Sequence, residues 1–110
     1  PDTPTTHKVL GQSAPTAATA TTLYTVPAAT QAVCSTLAIC NRDIATTYRV
    51  SVRPAGAAQD VKHYIVYDAV IGANDTIMLT LGITLAATDV VTVYAGTSAL
   101  SFSLFGAEIS

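Results

Sequence analysis

Apolar and polar positions alternate in short runs through most of this chain. In TTYRVSVR (46–53), Tyr48, Val50 and Val52 fall on one parity and Thr47, Arg49, Ser51 and Arg53 on the other. A period of two is that of a β-strand with one covered face. KHYIVYDAVI (62–71) continues it, with His63, Ile65, Tyr67, Ala69 and Ile71 opposed to Tyr64, Val66, Asp68 and Val70. TIMLTL (76–81) directs Ile77, Leu79 and Leu81 inward, and Gly82 permits a bulge before Ile83-Thr84-Leu85. VVTVYA (90–95) reads as its hairpin partner. ALSFSLFGAEI (99–109) closes the chain with Leu100, Phe102 and Leu104 toward a core. Turn residues (Gly, Pro, Asn, Asp, Ala-Thr) break these runs about every 8–12 residues, the spacing of an antiparallel sandwich or barrel.

The first half is less regular. PDTPTTH (1–7) reads as an extended arm rich in Pro and Thr, with the domain proper at 8–110. A short strand at Lys8–Gln12, a small-residue loop over 13–20 and a strand at 21–26 follow, and Pro27 opens a turn. QAVCSTLAIC (31–40) is a long strand. Its two faces, Val33/Ser35/Leu37/Ile39 and Cys34/Thr36/Ala38/Cys40, are both apolar or small, which predicts a central strand covered on two sides. Asn41-Arg42-Asp43 is the next turn. With about eight strands and no sustained helical period, the fold class is all-β: an antiparallel β-sandwich, jelly-roll or Ig-like, with an N-terminal arm.

Composition turns that architecture toward assembly. Charged residues are 11% of the chain and hydrophobic ones 50%, against a usual charged share of about 25%. A chain so poor in charge is expected to cover part of its surface with other protein, as a homo-oligomer or larger assembly. Five Lys and Arg against seven Asp and Glu leave no basic patch for nucleic acid. No run approaches the ~18 apolar residues of a membrane helix, so neither nucleic acid nor a membrane is an expected partner.

The chemistry a site would need is thin. His63 and Asp68 have opposite parity in one strand and leave opposite faces, so they form no relay. Cys34 and Cys40, six residues apart in a straight strand, stand about 20 Å apart at ~3.3 Å per residue. That is too far for a disulfide or a shared zinc ion, and both read as free buried thiols that suit a reducing cytoplasm. Asn74, Asp75 and Asp89 could gather at one end of the sandwich around calcium, but turn Asp and Asn more commonly cap their own backbone. Nucleotide fingerprints are absent. The expectation is no enzyme, no cofactor and no metal. The candidate interface residues are His7, Arg49, Arg53, Tyr64 and Tyr94. Arg49 and Arg53 share one exposed face, with Asp43, Asp60 and Glu108 as conceivable carboxylate partners. Strand tyrosines commonly sit in the core or at subunit contacts with the hydroxyl at the rim.

The string KVLGQSAP resembles small virion proteins of tailed bacteriophages. So do LYTVPAATQAVCSTLAICNR, TTYRVSVRPAGAA, KHYIVYDAVIGANDTIMLTLGITLAATDVVTVYA and LSFSLFGAEI, which together span roughly residues 8–109. The resemblance implies a non-enzymatic structural component of the virion, assembled in the host cytoplasm. It would be a symmetric oligomer, a trimer being one arrangement, in a tail appendage or baseplate region beside other virion proteins. Its rivals are a capsid cement or decoration protein contacting the major capsid protein, and a host-receptor or carbohydrate-binding module. No site residues come with the resemblance.

Overall fold

The computed structural model describes residues 5–109, which form eight strands in two four-stranded antiparallel sheets. The strands are β1 (Thr5–Ser13), β2 (Thr21–Thr25), β3 (Gln31–Asn41), β4 (Thr46–Arg53), β5 (Tyr64–Ile71), β6 (Thr76–Leu85), β7 (Val90–Ala95) and β8 (Leu100–Ile109). One sheet runs β1-β8-β3-β6 and the other β2-β7-β4-β5. The sheets pack face to face around Phe102, Leu37, Ile39, Ile71, Leu100, Leu104 and Val93, all fully buried. Among the described residues every buried side-chain nitrogen or oxygen has a hydrogen-bond partner.

Several expectations change once the chain is folded. Thr5, Thr6 and His7 belong to β1, opposite Ile109, Glu108 and Ala107 of β8; residues 1–4 of the expected arm lie outside the described residues. β6 and β7 do not form a hairpin. The chain crosses from one sheet to the other between them, and β4–β5 is the one consecutive pair that shares a sheet. The strand expected from residue 62 begins at Tyr64, because Val61–His63 forms a 3-10 turn. Its Asp60 cap accepts the Val61 N–H at 2.6 Å, and the His63 ring accepts the Asp60 N–H at 3.1 Å. Asp75 and Asp89 do not gather for an ion, since the ten residues of β6 separate them. Each caps its own turn, Asp75 bonding Thr76 N–H at 2.8 Å and Asp89 bonding Ala86 N–H at 2.9 Å.

Bulges account for the remaining differences, because each added residue reverses which parity faces the core. In β3, Cys34 lies opposite Gly106 and Thr36 opposite Phe105, so Ser35 is an extra residue against β8. Ala32 and Cys34 point inward before it, and Leu37, Ile39 and Asn41 point inward after it. Cys40 is thereby turned outward and exposed, contrary to the expectation of two buried thiols, while Cys34 is fully buried. β3 is central, but its outer face is only half-covered. Burial pushes the Cys34 thiol up to about 11, so it is protonated and unreactive at neutral pH. A thiol reagent is expected to label one cysteine, Cys40, in the native protein and two in denaturant, as intact-mass measurement would show.

Two glycines mark places where backbones meet. A Cβ at Gly11 would lie 2.2 Å from the Leu23 carbonyl oxygen, and one at Gly106 would lie 2.0 Å from that of Val33. The first contact closes the sandwich along its β1–β2 flank. On the opposite flank β5 does not close over β6, and Ile77, Leu79, Leu81 and Ile83 of β6 remain half-buried.

Candidate interaction site

The outer face of the β2-β7-β4-β5 sheet carries the densest cluster of polar and aromatic side chains. The β4–β7 register sets Arg49 directly opposite Tyr94. On the other side, Tyr48 pairs with Ala69 and Val50 with Val66, so β5 holds an extra residue opposite Arg49. Asp68 occupies that bulge with a φ of 50°, in the left-handed region that Asp tolerates better than most residues. Tyr67 and Asp68 are therefore both delivered to Arg49, although strict alternation would send them to opposite faces.

Arg49 is held from three sides. Its Nε donates to Asp68 Oδ1 at 2.6 Å and a terminal nitrogen donates to Oδ2 at 3.3 Å. Its guanidinium carbon lies 4.3 Å from the Tyr67 ring centroid and 4.4 Å from that of Tyr94. Tyr64 meets Tyr67 edge to face, with centroids 4.8 Å apart. The Asp68 hydrogen bonds raise the already high pKa of Arg49 further, so the cation is permanent. An exposed ion pair is screened by water and adds little stability. Its importance here is geometric: a guanidinium fixed between two rings presents a rigid, amphipathic surface with little rotamer freedom left to lose on association. Tyr and Arg in such settings are the residue types that dominate protein interfaces.

Of the sequence candidates, Arg49, Tyr64 and Tyr94 thus converge. Arg53 lies on the same face but is engaged elsewhere, donating to Thr92 Oγ1 and to the Ala57 carbonyl at 3.1 Å each. It helps pin the 54–63 segment over the sheet, where Ser51 Oγ bonds Gln59 Oε1 at 2.7 Å. His7 is on the other sheet, beside a shallow groove of about 340 Å³ lined by Val33, Ser35, Ala107 and Ile109 among others. Tyr67 and Asp68 are the members that sequence reasoning missed. The carboxylate partner of Arg49 is Asp68 of the same chain, and neither Asp43, Asp60 nor Glu108 takes that role.

Apolar exposure accompanies the cluster. Among the described residues the exposed large apolar side chains are Ile44, Val61, Ile65, Tyr67, Val70, Met78 and Val9. All but Val9 lie between positions 44 and 78, on β5, β6 and the segments leading into β4 and β5. Val70 is 70% exposed and Met78 61%. Single exposed apolar residues are ordinary; concentration on one flank marks a surface made for contact.

A second polar group locks the closed flank. Glu108 of β8 bonds Lys8 of β1 at 2.8 Å and accepts the Tyr24 hydroxyl of β2 at 2.5 Å. Lys8, then Tyr24, hold the Glu108 carboxyl below its usual range, while burial and Glu108 push the Tyr24 phenol up. A carboxyl with a depressed folded pKa adds stability above its unfolded value, about 4.3, that is lost as pH falls through the folded value. Acid is thus expected to loosen β1 first. Glu108→Gln should flatten the dependence of Tm on pH below about 4.3 without altering it near neutrality.

His63 and Asp68 form no catalytic pair: the first caps its own turn and the second holds Arg49. Among the described residues no three His, Cys, Asp or Glu side chains gather as a metal site. Comparison with protein families, with curated proteins and with solved structures finds no match for this chain.

Proposed function

We propose that this protein is a non-enzymatic structural subunit of a tailed-phage virion, built as a jelly roll and assembled as a symmetric homo-oligomer in a tail appendage or baseplate region. The strand order supports the jelly-roll assignment. Successive strands change sheet except at β4–β5, giving β1-β8-β3-β6 against β2-β7-β4-β5, the arrangement of two interleaved Greek keys that recurs in viral shell and lectin domains. Fold alone carries no function. The observation that carries the reading is the apolar β5–β6 flank beside the clamped Arg49 cluster, on a chain with 11% charged residues. Such a surface is unfavourable in water and favourable against protein. Arg49 already lies over the Tyr67 and Tyr94 rings, which favours a protein contact over a stacking platform for sugar.

Quantitative mass spectrometry of purified particles, with labelled antibody in electron micrographs, tests the proposal. The expected result is a copy number that is a small multiple of the tail symmetry, with label at the tail. A copy number near that of the major head protein makes it a capsid cement protein instead. Absence from washed particles overturns the virion assignment.

A further inference from the structure

The sandwich has four edge strands, β1, β6, β2 and β5, and an edge strand presents unpaired backbone groups that invite another strand. Three of the four carry features that discourage it. β1 holds Lys8 and a bulge at Leu10. β2 is five residues long and bulged. β5 is interrupted twice and carries Asp68 at positive φ. β6 differs. Its ten residues, TIMLTLGITL, include no charge and no proline, and Thr76–Thr80 run in unbroken register with β3 before the irregularity at Gly82.

We infer that the free edge of β6 pairs antiparallel with β6 of a second copy of this chain about a two-fold axis, joining two four-stranded sheets into one of eight strands. This deepens the assembly reading above and rests on it. Several features favour a second copy over an unrelated strand. With no charged residue in β6, self-pairing sets no like charges opposite one another. The alternation of β6 is its own complement: a register centred on Thr80 sets Ile77 opposite Ile83 and Leu79 opposite Leu81 of the partner. That row is half-buried in the single chain and is covered further by the joined sheet. The same axis brings Ile65 and Val70 of β5, exposed on this flank, toward their counterparts. A two-fold contact is isologous and closes on itself, so the building unit is a dimer and higher assemblies are even-numbered.

Sedimentation velocity of the full chain, with residue-resolved hydrogen exchange, tests this. The expected wild type is a concentration-dependent dimer with slowly exchanging β6 amides. Thr80→Lys and Met78→Lys, both at exposed outer positions, should shift the chain to monomer and speed β6 exchange, with an unchanged far-ultraviolet circular dichroism spectrum. Val9→Lys, on the opposite flank, should leave the dimer intact. A wild-type oligomer that survives both β6 variants, with β6 amides exchanging freely, overturns the edge pairing and leaves the assembly reading standing. A chain that is monomeric at every concentration, with β6 protected only inside particles, assigns the edge to another virion protein and overturns self-pairing. A monomer that is also absent from particles overturns both readings.

Discussion

Gly106→Ala is expected to destabilise the protein by about 3 kcal/mol, the upper end of overpacking effects, and to lower Tm correspondingly in thermal melts followed by circular dichroism. The added methyl group would lie 2.0 Å from the Val33 carbonyl oxygen and 3.1 Å from the Cys34 Cα. Neither neighbour is a side-chain tip that could swing away; both are backbone of β3 beside the Ser35 bulge. Relief requires separating β3 from β8 at the centre of their sheet. Gly82→Ala is the control. Nothing lies within 4 Å of a Cβ there, and only the φ of +63° resists substitution, a cost of about 1–2 kcal/mol. Equal losses for the two variants would show that the close approach of β3 to β8 is not what makes position 106 demanding.

Asn41→Leu is expected to destabilise the protein by about 2–4 kcal/mol, measurable by urea denaturation. Asn41 is 2% exposed at the end of β3. Its amide nitrogen donates to the Ile44 carbonyl at 2.7 Å and the Gly72 carbonyl at 2.9 Å, and its oxygen accepts the Asp43 N–H at 3.1 Å. One side chain thereby holds the β3–β4 turn against the β5–β6 turn. Leucine matches its bulk and leaves three backbone groups without partners, each costing about 1–3 kcal/mol where water cannot reach; partial exposure of the turn keeps the sum below that maximum. Asn41→Asp should retain the Asp43 bond but set a carboxylate oxygen against the Ile44 and Gly72 carbonyls in a buried site, giving a loss at neutral pH at least as large as that of the leucine variant.

The strands were legible because a half-covered strand writes its environment in alternating residues. TTYRVSVR and LSFSLF fold with the faces that their parity implies, Tyr48 and Val50 buried in one and Phe102 and Leu104 in the other. What parity could not show is where alternation resets. Ser35 is a small polar residue in a small-residue strand, and nothing local distinguishes it as a bulge, so parity alone puts Cys40 on one face with Cys34, whereas the two point to opposite sides. Asp68 reads as an exposed strand residue, yet its left-handed backbone brings Tyr67 and its own carboxylate to Arg49. Pairing between strands far apart in sequence was equally invisible. β6 and β7 look like a hairpin, being adjacent and joined by a turn, and only packing of two sheets separates them. Asn41 reads as a turn residue but is the last residue of β3, where its side chain reaches a glycine carbonyl 31 residues away. Arg49, Tyr64 and Tyr94 were identifiable one by one from exposure and residue type. Their convergence required the bulge.

The first strand of the chain pairs with the last, Thr5 opposite Ile109. A ribosome releases β1 long before β8, so β1 has no neighbour in its own sheet until β8 has emerged. Chains dominated by such distant pairings fold slowly, on the order of milliseconds to seconds. Throughout that delay the uncharged β6 segment is already translated and lies outside a finished sandwich, a hazard for aggregation. Yield from expression should therefore respond to slower synthesis at low temperature more than to any change in the finished protein's stability.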